Sequence, residues 1–193
     1  DKNLVAYIFT QEKAGKDYAT EDKMAKAIKE VRAEKIEAYV DNVKSEPLVD
    51  ETKLPKAGKI VKETENKKFG YKELILSNGA RVILKKTDYK ANEVRLFGSS
   101  KGGNSLYGKG DYDNITFFDG VIGASGLGNF SNQELTKALY GKQAGASISL
   151  DTYKQSVSGH AIPKDVETMM QLVYLNFTNV KKDQASYDAM MKQ

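Results

Sequence analysis

Apolar and polar residues alternate through residues 74–84, LILSNGARVIL. Leu74 and Leu76 alternate with Ile75 and Ser77. Val82 and Leu84 then fall on one side of the chain, and Arg81 and Ile83 on the other. A period of two predicts two strands. Asn78-Gly79 between them is a strong signal for a tight hairpin, because both residues tolerate positive φ. A third strand is expected over 93–98, after a polar turn. The helices that follow are expected to lie on the sheet that this hairpin starts.

Downstream the period changes. Residues 99–113 hold four glycines and read as a flexible connector. A phosphate-cradling loop would need a Gly-rich strand-to-helix turn ending in G-K-[ST], and Gly108-Lys109-Gly110 is not that. Residues 114–123 predict a helix with Ile115, Phe118 and Ile122 on one stripe and Phe117 and Val121 on the next. A helix apolar almost all round is expected to be buried. Ser131 to Glu134 form a capping box, and Phe130 with Leu135 a hydrophobic staple, so a second helix is expected up to Tyr140, ending at Gly141. Strands are expected over 146–151 and 153–161. Pro163 opens another helix at its first position, with Val166, Met169, Met170, Val173 and Phe177 as a core stripe. A Met-rich binding groove is the alternative reading of that stripe. The closing residues, 183–193, have the pattern of an unfinished helix. Strands and helices in this order predict an α+β domain, a largely antiparallel sheet with helices packed on it.

Upstream, Asn3 to Phe9 reads as a short apolar strand and residues 11–19 as a polar loop. Thr20 is placed to cap a helix whose first turn carries Glu21 and Asp22. Met24, Ala27, Ile28 and Val31 make its apolar stripe. Ile36, Tyr39 and Val40 continue out of phase, so a break is expected near Glu34. Mixed acids and bases mark a solvated surface helix with one buried face rather than a membrane-surface helix. Residues 42–70, with Pro47 and Pro55 and no periodic apolar pattern beyond a possible short strand at Ile60-Val61, read as a linker. The expected organisation is therefore 1–41 as the strand-helix tail of a preceding domain, 42–70 as the connector, and 71–193 as the α+β domain, cut short at its end. The chain reads as a piece of a longer protein.

Composition narrows the chemistry. Of 193 residues, 40% are hydrophobic, which is enough for a core. Thirty basic and 26 acidic residues leave a net charge of +4, dispersed along the chain. No basic run interleaves with aromatics, so nucleic acid is not an expected partner. No run approaches the roughly 20 apolar residues of a membrane span. The absence of cysteine excludes disulfides, thiolate metal sites and a cysteine nucleophile.

Candidate catalytic groups are few. His160 is the one histidine, and no G-x-S-x-G elbow accompanies it. A structural or solvent-facing role is the plain reading; an unrelated enzyme using His160 with Asp151 is the other. Asp111 and Asp113 begin like a calcium loop but lack its glycine and closing glutamate. Asp119 stands alone on an apolar helix, which solvation explains.

The ordered set LSNGARVILKK, a helix, GLGNFSNQEL, two strands and PKDVETMMQLVYLNFTN resembles the pitrilysin/insulinase family of zinc metallopeptidases over residues 71–193. In that family the helix bears H-x-x-E-H, two zinc ligands one turn apart and a glutamate base. In register with the capping box those positions fall on Phe117, Gly120 and Val121 here. The resemblance implies a degenerate, non-catalytic second half of a bacterial, exported, periplasmic zinc peptidase, with 1–41 as the tail of the preceding domain. It implies no catalytic residue and no metal in this segment, with zinc held by the parent. It also implies that the segment walls the peptide chamber. The expected partners are the catalytic half of the same polypeptide and peptide substrates, the latter adding a strand along an edge that maps onto Gly145, Ala146, Ser147 and Ile148. Bare apolar surface is expected to drive self-association. The alternative is a binding or assembly module of the same fold with no peptidase activity in its parent.

Overall fold

The hairpin forms where the alternation puts it. In the computed structural model, which describes residues 3–11, 14–38, 40–41 and 43–192, three strands pair antiparallel in chain order: β1 (Ile60–Asn66), β2 (Tyr71–Leu76) and β3 (Arg81–Leu84). Leu74 stands opposite Val82. Only Gly79 takes a positive φ, 84°; Asn78 does not. The link is a three-residue loop. Gly79 N–H donates to the Leu76 carbonyl at 2.9 Å, and the Asn78 side-chain oxygen accepts from Ala80 N–H at 3.0 Å. A type I turn closed by a left-handed glycine has this pattern, so Asn78 serves by its side chain and not by the positive φ expected of it.

A second antiparallel sheet carries the helices. Its order is β4-β7-β6, from β4 (Val94–Lys101), β6 (Ala144–Leu150) and β7 (Lys154–Ala161). The hairpin therefore does not start the helix-bearing sheet: the polar, non-alternating stretch 85–93 interrupts the ladder between β3 and β4. α2 (Tyr112–Ala124), β5 (Gly126–Leu127) and α3 (Asn132–Ala138) lie between β4 and β6 in sequence. β5 pairs with the two-residue β8 (Val180–Lys181), and α5 (Gln184–Met190) follows. Ser131 and Glu134 form the reciprocal capping box at the start of α3, with Phe130 beneath it fully buried.

α4 (Val166–Thr178) follows a 3-10 turn at Pro163–Asp165 and packs on β6 and β7. A Cβ built on Gly159 would sit 2.9 Å from Met169 Sδ, so that strand residue must be glycine for the helix to approach this closely. The buried face of α4 is Thr168, Met169, Leu172, Leu175 and Asn176. This corrects the expected stripe: Met169 belongs to it, but Met170 is 46% and Phe177 62% exposed. The helix carries two apolar stripes, and packing selects the one holding Leu172 and Leu175. Asn176 is tolerated there because its side chain donates to the Leu172 carbonyl at 2.8 Å.

Leu172 and Leu175 share a core with Leu127 and Val49. Val49 comes from the stretch expected to be a linker with at most a short strand at Ile60-Val61. That stretch also supplies a 3-10 turn at Glu51–Lys53 and the whole of β1. Lys44 Nζ lies 3.1 Å from Glu134, donates to the Asn129 carbonyl at 2.8 Å, and stands over the Phe130 ring. Lys181 donates to the same Asn129 carbonyl at 2.6 Å.

The backbone divides into two units, Asp1–Asn42 and Val43–Gln193; all the features above belong to the second. In the first, α1 (Glu21–Ala33) is capped by the Thr20 side chain and ends at Glu34. It has no buried residue, so the expected buried face is not formed. Asn3 to Phe9 forms no ladder and is exposed: the expected strand has no partner among the described residues. Tyr39 lies outside the described residues. No helix among the described residues is long and apolar enough to cross a membrane.

Candidate functional site

The positions implied for a zinc motif lie on α2. Phe117 is 53% exposed, Gly120 is exposed and Val121 half-buried. None of the three side chains donates a lone pair to a metal or moves a proton. The single imidazole, His160, is on β7, away from α2 in the topology. A catalytic zinc asks for three protein ligands and an open position, and the residues here do not fit it. Nor is α2 buried as its composition led us to expect, since none of its residues is buried. Its apolar side instead lines a groove with α5, through Phe117, Val121, Tyr187 and Met191. Gly120 faces the same way: a Cβ there would meet Met190 Sδ at 3.4 Å.

The second implied feature is an edge strand. β6 is the outer strand of its sheet, and no other strand pairs along its far side among the described residues. Alternation fixes which main-chain groups face outward. Asp151 N–H donates to Lys154 O, and Ile162 N–H to Gln143 O, each at 2.9–3.0 Å. In an antiparallel ladder every second residue turns both its groups to the partner strand. Odd positions of β6, Gly145 and Ser147 among them, therefore bond to β7. Ala144, Ala146 and Ile148 point their N–H and C=O to the open edge. Of the four residues expected to pair with peptide, Ala146 and Ile148 present backbone to it and the other two do not.

Leu150 N–H would be the next open donor. The Asp119 carboxylate of α2 accepts it at 3.1 Å. Asp119 is thus not merely solvated: it ties α2 to the end of β6 and stops the open edge there. A carboxylate in mid-helix among apolar residues was the only signal in the sequence.

Gly145 and Ser147 face the other side of the sheet. A Cβ on Gly145 would lie 2.7 Å from His160 Cε1, so the ring occupies the space a side chain would need. Ser147 and Ser158 hydroxyls bond across the strands at 3.0 Å, as do Ser149 and Ser156 at 3.2 Å. His160 and Asp151 are not brought together. Asp151 faces Lys154 at the hairpin end of β7 and His160 lies six residues further along, about 20 Å at strand rise. Asp111 is engaged locally, accepting from Gly108 N–H at 3.3 Å.

No protein-family model matches the chain. A zinc protease PQQL-like protein of Arabidopsis thaliana is 28% identical over 165 residues, covering 84% of this chain and 15% of that protein. The periplasmic protease PqqL of Escherichia coli shares the fold with a TM-score of 0.68 at 20% identity, over 90% of this chain and 19% of that one. A mutant of the ferredoxin protease FusC, solved with Arabidopsis ferredoxin, gives 0.66 at 16% identity, over 91% and 20%. The chain thus spans between a seventh and a fifth of the length of these relatives. By sequence likeness and by its α+β fold, the chain is similar to a segment of the pitrilysin/insulinase-like proteases.

Proposed function

We propose that this chain is a non-catalytic segment of a zinc-dependent metallopeptidase, walling the chamber in which peptides are held. The observation that carries the reading is the residue types of α2: in the register that the resemblance implies, Phe117, Gly120 and Val121 take the positions of the family's two histidines and its glutamate base. Zinc and hydrolysis belong to the rest of the parent polypeptide, and the parent is an exported protein, periplasmic in a bacterium. The likeness to a periplasmic protease supports that location.

The segment's own contribution is the open edge of β6. An extended peptide adding there would bond to Ala144, Ala146 and Ile148 and gain affinity from main-chain hydrogen bonds. Pairing stops at Leu150, whose N–H Asp119 already holds. In this reading Phe117, Gly120 and Val121 are packing positions and carry no chemistry.

Zinc titration of the purified 193-residue chain, with an unstructured-peptide cleavage assay alongside, tests the non-catalytic assignment. The expected result is no stoichiometric zinc and no chelator-sensitive cleavage. One tightly held zinc per chain with chelator-sensitive turnover would overturn it.

A further inference from the structure

Residues 43–50 touch β5, α3 and α4 through few contacts. Among them Val49 alone is buried, against Leu127, Leu172 and Leu175, with half-buried Leu48 beside it. Among the described residues, no backbone–backbone hydrogen bond joins 43–49 to the rest of the unit. A cavity of about 400 Å³ separates Glu46, Leu48 and Asp50 on one side from Asn129, Tyr174 and Thr178 on the other. The seating of this stretch is therefore incomplete. Few buried apolar contacts and no shared ladder are the marks of a segment that opens at low cost.

Lys44 is the polar anchor, through Glu134 and the Asn129 carbonyl. Both acceptors have a second cation. Lys181 Nζ donates to the same carbonyl at 2.6 Å and lies 3.9 Å from Glu134. The Glu134 carboxylate also accepts the Ser131 N–H. Withdrawing Lys44 therefore leaves neither acceptor without a partner, and an unpaired acceptor is the larger part of what a broken polar contact costs.

We propose that residues 43–50 form a releasable strap, which detaches as a unit while α4 and the β4-β7-β6 sheet stay folded. Lys181 takes over the partners of Lys44 as it leaves. Release uncovers the side of the core formed by Leu127, Leu172 and Leu175.

The chain has no cysteine, so one introduced thiol reports opening by its rate of reaction with N-ethylmaleimide, followed by mass. Val49→Cys reports the strap. Met169→Cys, at a position 2% exposed and packed on Gly159 of β7, reports opening of the whole fold. Val49→Cys is expected to react about a hundredfold faster than Met169→Cys. Adding Lys44→Met should speed Val49→Cys about tenfold and leave Met169→Cys unchanged. With Lys181→Met also present, the same Lys44→Met step should have a larger effect, because no ammonium then remains on the two acceptors. Leu48→Cys replaces Val49→Cys as reporter should the latter fail to melt cooperatively. Equal rates for the strap and core thiols, or no acceleration of the strap thiol by Lys44→Met, would overturn the strap. Lysine effects that simply add would overturn the exchange between Lys44 and Lys181.

Discussion

At Ser131 the chain turns into α3, and the Glu134 carboxylate reaches back to accept the Ser131 N–H at 2.7 Å. That bond first, and the Lys44 ammonium second, hold the Glu134 carboxyl well below its ordinary 4.5, at about 2. A carboxylate with a lowered folded-state value favours the folded chain above its unfolded value and loses that advantage as pH falls through the folded one. Glu134→Gln should therefore lower the melting temperature at neutral pH. The gap between variant and parent should close on acidification from about 4.5 towards about 2. Circular-dichroism melts across that range check it, and a gap that stays constant down to pH 2 would contradict it. The capping box was legible in the sequence because it is a four-residue pattern. Lys44 was not, because it arrives from 90 residues upstream through tertiary packing alone. Asp119 was equally hidden: its partner is a backbone N–H, which no sequence pattern marks.

Among elements, the hairpin, the cap of α3, the proline start of α4 and the strands β6 and β7 could all be read from local signals. The orientation of α4 could not. Two apolar stripes run along it, and periodicity does not say which one the sheet and Val49 will cover. Leu172→Ala, at a position 3% exposed, should cost about 2–5 kcal/mol in urea denaturation. Phe177→Ser, at 62% exposed, should change stability by less than about 0.5 kcal/mol, as surface substitutions do. The reverse order of the two would restore the stripe read from the sequence. α2 failed its expectation for a related reason. Its apolar composition predicts burial, but the elements that lie against it, α5 and the end of β6 among them, leave Phe117 half-exposed.

For the molecule as a whole, the fold was more legible than the site. Alternation and caps are local and strong, so the α+β order followed from them. Which backbone groups of β6 face outward depends on the phase of a ladder, and a one-residue slip would exchange Ala146 and Ile148 for Gly145 and Ser147. The stretch 43–70 shows the same limit. Its polar composition reads as a linker, yet one valine in the core and one strand on the hairpin make it part of the larger unit. The central claim is that this segment holds extended peptides on an open strand edge and does not cut them. Amide hydrogen exchange of the full chain, with and without a saturating unstructured peptide, tests this most directly when the same samples are weighed for peptide cleavage. The account predicts slowed exchange at Ala146 and Ile148, no change at Leu150, and an intact peptide. Unchanged exchange along β6, or chelator-sensitive cleavage of the peptide, would contradict it.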